Sequence, residues 1–84
     1  MKNIQFIPGH EYAHAYIRAY NDGQLELVSY STVVITVTPD RKLYVHGLYS
    51  MTTRKHIGWF MRLLGLTYQD AKASYMTDCP IDLQ

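Results

Sequence analysis

The stretch from Tyr12 to Tyr20, YAHAYIRAY, alternates without a break, with Tyr12, His14, Tyr16, Arg18 and Tyr20 on one parity and Ala13, Ala15, Ile17 and Ala19 on the other. A period of two predicts a strand with one aromatic, polar face and one apolar face. Ala13, Tyr16, Ile17 and Tyr20 also fit a helical stripe, but the NDG at residues 21–23 reads as a hairpin turn and favours the strand. The next segment, Leu25 to Thr38, is dense in β-branched residues and is expected to bend or bulge near residues 29–31, where its apolar parity shifts. TPDRK at residues 38–42 is a turn, because proline pre-sets φ and aspartate can bond its own backbone. LYVHGLY at residues 43–49 follows as another strand, with Gly47 at a bulge or at its exit. Residues 1–9, MKNIQFIPG, offer an edge strand that breaks at Pro8–Gly9.

The period then changes. Ser50, Thr52 and Thr53 supply N-cap oxygens, and RKHIGWFMRLL continues at helical spacing. At about 100° per residue, Thr53, Ile57, Phe60 and Leu64 fall together, flanked by Met61 on one side and by Leu63 and His56 on the other. Arg54, Lys55, Gly58 and Arg62 share the opposite face. Gly65 ends this helix, and TYQDAKASYM, capped by Thr67, offers a short second one. The expected fold is α+β: an antiparallel sheet of three to four strands in β-hairpins, packed against one main helix in the C-terminal half. Residues 1–84 read as one domain, without internal repeats, in which residues 77–84 form a flexible tail.

Composition changes the picture in two places. Hydrophobic content of 48% is too high for a disordered chain, and no apolar run approaches the roughly 20 residues of a membrane span. The lone Cys79 excludes an intramolecular disulfide and favours a reducing cytoplasm. The net charge of +1 conceals a segregation: from Arg41 to Leu66 there are five basic residues and no carboxylate, whereas the rest of the chain carries three basic and seven acidic residues. A positive face would follow if Arg41, Lys42, Arg54, Lys55 and Arg62 meet in space.

HEYAH, residues 10–14, matches His-Glu-x-x-His, which on a helix places two imidazoles one turn apart on zinc with the glutamate as general base. Here the motif falls in a segment expected to be extended, where the histidines would stand roughly 13 Å apart, too far for one metal. His46, His56 and Glu26 are the third ligands available on paper. Neither an enzyme nor a metal or other cofactor is expected. His56, at the border of the apolar helix face, is read as a half-buried residue that bonds a threonine hydroxyl or a strand carbonyl. SMTTRKH, residues 50–56, combines a helix N-terminus with two cations and so suits an anion.

Residues 28–60, VSYSTVVITVTPDRKLYVHGLYSMTTRKHIGWF, resemble a group of small proteins encoded by bacteriophages and prophages. The shared pattern is a Y-S/T-T-x-V strand, a strand ending in glycine, and Y-S-x-T-T-x-x-H-I-x-x-F, matched by Tyr30, Ser31, Thr32, Val34, Gly47, Tyr49, Ser50, Thr52, Thr53, His56, Ile57 and Phe60. Tyr49, Ser50, Thr52, Thr53 and His56 would build the strand-to-helix corner. The resemblance implies a genetic context, in which small accessory proteins often bind a host or defence protein, as anti-CRISPR proteins do. The expected function is therefore a cytoplasmic phage or prophage protein that inhibits a host protein such as a CRISPR effector. Contacts are expected at Arg54, Lys55, Trp59 and Arg62 on the helix and at Tyr16 and Tyr20 on the first hairpin. A nucleic-acid-binding module using the same basic face is the alternative, and a zinc hydrolase through His10, Glu11 and His14 is a third reading. Exposed edges or the tyrosine face would also suit a homodimer.

Overall fold

A computed structural model describes residues 2–11 and 13–83 of the chain. Six strands, β1 (Lys2–Phe6), β2 (Ala15–Tyr20), β3 (Leu25–Ser29), β4 (Thr32–Val37), β5 (Lys42–Val45) and β6 (Ile81–Asp82), form one antiparallel sheet whose spatial order follows the chain. Helices α1 (Met51–Leu63) and α2 (Tyr68–Thr77) lie between β5 and β6 in sequence. Strand register places Ile17, Leu27, Ile35 and Val45 in one row, and Ala19, Leu25, Val37, Leu43 and Ile81 in another. The apolar core joins members of these rows to Ile57, Phe60 and Met61 of α1 and Ala71 of α2. Because strand side chains alternate, the other face carries the row Ile4, Arg18, Glu26, Thr36 and Tyr44.

The fold is α+β, but the expected three to four strands on one main helix are overturned by six strands and two helices. Two causes account for the extra strands. The expected bend near residues 29–31 is a complete hairpin turn: Ser29 pairs with Thr32, and Tyr30 sits between them at φ 60°. A left-handed tyrosine provides none of the Gly, Asn or Asp that announces a turn. The irregularity itself lies further in, where pairing shifts from Leu27–Ile35 to Val28–Val33 and leaves Val34 as an extra residue in β4.

The second cause is the C-terminus. Residues 77–84, read as a tail, contain β6, which pairs Asp82 with Lys42 and Ile81 with Leu43. The Leu83 N–H donates to the Arg41 carbonyl, and Ile81 and Leu83 pack against the core. Two residues are too few to show a period. The short second helix offered after Gly65 is α2, ten residues long and opened by a capping box in which Thr67 and Asp70 satisfy each other's backbone N–H groups. Among the described residues no helix is long and apolar enough to cross a membrane.

Deleting residues 81–84 should lower the unfolding free energy by about 2 kcal/mol, the scale of re-exposing two partly buried aliphatic side chains. Chemical denaturation checks this, and an unchanged midpoint would mean that the segment is a tail after all.

Candidate functional site

The corner between β5 and α1 is built from polar side chains. Ser50 caps α1 by accepting the Thr53 N–H at 3.2 Å, and its hydroxyl donates to the Thr53 hydroxyl at 3.3 Å. Thr53 lies 3.2 Å from the Ser29 hydroxyl at the end of β3, which in turn lies 2.8 Å from His56 Nδ1. Ser29, Thr53 and His56 are all buried, so this chain of hydroxyls ties the first turn of α1 to the sheet. Tyr49 enters the corner at φ 49° with its ring over Gly47, where an added Cβ would stand 2.8 Å from the ring. Thr52 is half-buried in the first turn of α1.

The Ser29–His56 spacing is that of a nucleophile and its base, but both residues are 2% exposed and no substrate can reach them. Their hydrogen bond joins the end of β3 to α1. Burial first, then positive Lys55 and neighbouring His14 and His10, hold the His56 imidazole below the ordinary histidine range. It is therefore neutral at pH 7.

Aromatic rings cover this corner. His10 stacks on Trp59 at a centroid distance of 3.6 Å with 6° between planes, while His56 lies 5.2 Å from the indole on a tilted plane. Tyr30 bridges His14 at 5.2 Å and His56 at 5.9 Å. HEYAH thus falls in the connection between β1 and β2, not on a helix, and Glu11 accepts the Gly9 N–H. The three paper ligands are engaged elsewhere: His46 with the Thr36 hydroxyl, Glu26 with Arg18, and His56 with Ser29. Among the described residues no group of three or more His, Cys, Asp or Glu is placed to hold a metal. Tyr12 lies outside the described residues.

Above the histidines, α1 and the start of α2 enclose a groove of about 400 Å³. Arg54, Lys55, Trp59 and Arg62 line it together, joined by Thr67, Tyr68 and Gln69, and no carboxylate does. Helical spacing explains the convergence, since residues 54, 58 and 62 stand four apart on one stripe and 55 and 59 on the next. Arg54, Lys55 and Arg62 are not ion-paired among the described residues. Gly58 forms part of the same lining. A Cβ there would meet only the Tyr68 Cβ at 3.7 Å, an ordinary contact, so packing does not demand the glycine. In a helix interior it costs about 1 kcal/mol relative to alanine.

Tyr16 and Tyr20 do not join the groove. They lie on the sheet face away from the core, where the Tyr20 hydroxyl donates to Glu26 at 2.7 Å and Arg18 pairs with the same carboxylate at 2.9 Å. That hydrogen bond, reinforced by burial and by the Glu26 charge, raises the Tyr20 pKa. Arg41 and Lys42 stand at the start of β5, outside the groove lining, so only three of the five segregated cations meet there. A larger cavity, about 550 Å³, opens between the end of β5 with His46 beyond it and the end of α2, and carries no comparable charge.

A model described as a family of unknown function, DUF8033, matches residues 3–77. The chain belongs to the DUF8033 family. The DUF8033 match runs from β1 to the end of α2 and includes the groove, the histidine cluster and HEYAH. No curated protein and no solved structure matches the chain.

Sequence reasoning missed Ser29 and the α2 side of the groove. The signal for Ser29 was a small hydroxyl residue closing a strand directly after the apolar pair Leu27 and Val28. Thr67, Tyr68 and Gln69 gave none, because their placement depends on how α2 docks.

Replacing Ser29 by Ala or His56 by Gln should cost about 1–3 kcal/mol, the range for stranding a buried polar partner. His56 has a folded pKa below its unfolded value near 6.5, so its contribution is complete above that value and declines as pH falls through it. Denaturation at pH 7 and pH 5 should show stability falling in the wild type and a shallower fall in His56→Gln; equal slopes would rule out the neutral buried imidazole.

Proposed function

We propose that this is a non-enzymatic phage or prophage accessory protein of the bacterial cytoplasm that binds and inhibits a host protein, foremost a defence protein of the CRISPR-effector kind. The observation that supports binding is the groove: three cations, none ion-paired among the described residues, converge around an indole with no carboxylate in the lining. A surface used only for folding gains nothing from gathering like charges within one groove, where they repel. The phage setting is supported by the sequence resemblance over residues 28–60.

The same cations favour a second reading, a nucleic-acid-binding module, in which they would neutralise phosphates. Salt separates the two. Phosphate contacts lose affinity steeply with ionic strength, whereas a protein contact that also uses Trp59 is less sensitive.

A tagged copy incubated in host lysate should retain one defence protein before and after nuclease treatment, identified by mass spectrometry. The double variant Arg54→Ala, Arg62→Ala should bind that protein at least about tenfold more weakly, or about 1.4 kcal/mol. Retention that disappears with nuclease would transfer the function to nucleic acid, and undiminished binding by the double variant would remove the groove from it.

A further inference from the structure

Resting on the reading of the groove as a docking site, we propose that it takes an extended acidic peptide segment of the partner protein, whose main chain crosses Gly58 while its carboxylates meet Arg54 and Arg62. The groove supplies the charge side of the argument: its lining holds three cations, none ion-paired among the described residues, and no carboxylate. Complementarity therefore calls for an anion.

Geometry narrows the choice. Arg54 and Arg62 are eight residues apart on α1, which at 1.5 Å per residue separates them by about 12 Å along the axis. In an extended peptide, side chains at i and i+4 lie on one face roughly 13 Å apart. Between the two arginines the stripe has no side chain at all, only Gly58. With no Cβ in that gap, a main chain can lie directly against α1 there.

Gly58 is the second, independent observation. A Cβ at this position would find ordinary space, its φ is not in the left-handed region, and the helix would be more stable with alanine. Neither the space around it nor its backbone conformation requires the glycine. A close approach by another backbone does use it.

Protein is favoured over nucleic acid by the aromatic residues. Single strands bind such grooves by stacking bases on free aromatic faces. Here one face of Trp59 is already covered by His10 at 3.6 Å, and Tyr68 is half-buried against the core. Three cations also form a small footprint for a phosphate backbone in a chain of net charge +1.

The test uses Trp59, the single tryptophan of the chain, as its own reporter. Hexaglutamate is titrated into the intact protein at low salt while indole emission is followed, with hexaglutamine and a thymidine hexanucleotide as the other two probes. The expected result is a saturable change with hexaglutamate, none with hexaglutamine, and weaker binding of the oligonucleotide. Gly58→Leu should weaken hexaglutamate binding at least about tenfold, and Gly58→Ala by a smaller factor while raising Tm. Because Gly58→Ala is expected to fold better than the wild type, lost binding in it cannot be ascribed to unfolding. Wild-type affinity in both glycine variants would overturn the notch, even if Arg54→Ala or Arg62→Ala still abolished binding and so left the docking reading standing. Wild-type affinity in the arginine variants as well would overturn both, and tighter binding of the oligonucleotide would replace the peptide with nucleic acid.

Discussion

A neutral imidazole held 2.8 Å from a serine hydroxyl decides where the main helix meets the sheet. Ser29 closes β3, His56 stands in the second turn of α1, and Thr53 and Ser50 continue the hydrogen bonds to the helix cap. Buried hydroxyls and an imidazole are costly if any member loses its partner, so this chain tolerates one arrangement of helix on strand. An apolar seam alone could slide. With α1 fixed in rotation, Ile57, Phe60 and Met61 enter the core, and the stripe of Arg54, Gly58 and Arg62 faces outward beneath the start of α2.

The two surfaces of the molecule then differ in how their charges are used. On the open face of the sheet, Arg18 and Tyr20 both bond Glu26, and the Arg18 Nε is the one buried polar side-chain atom without a hydrogen-bond partner among the described residues. On the helical side, the groove gathers cations and leaves them unmatched. A closed network stabilises its own fold, and an open one has interaction energy left for another molecule. That contrast, more than the size of either surface, singles out the groove in a protein whose larger cavity lies elsewhere.

Much of this was legible along the chain, and the reason is periodicity. Arg54, Lys55, Gly58 and Arg62 could be placed on one face because a helix repeats every 3.6 residues, and the same rule sends Ile57 and Phe60 inward. The hairpin at NDG and the caps at Ser50 and Thr67 were readable from local chemistry. What escaped depends on contacts distant in sequence or on elements too short to repeat. Tyr30 turns the chain in a conformation that tyrosine seldom adopts, β6 has two residues, and the far wall of the groove exists only once α2 has docked. Tyr16 and Tyr20 were named as contacts together with the helix cations while their sheet face was left open, and the pleat puts them behind the sheet. HEYAH shows the converse, a motif whose spacing is correct and whose backbone is not. Its first histidine stacks on Trp59 instead of turning toward a metal.

The most direct measurement is amide chemical-shift mapping of the isotopically labelled protein during addition of hexaglutamate. Docking in the groove requires shifts concentrated at residues 54–62 and 67–69, with Tyr16, Arg18, Tyr20 and Tyr44 unmoved. Shifts centred on the open sheet face, with the groove silent, would contradict it.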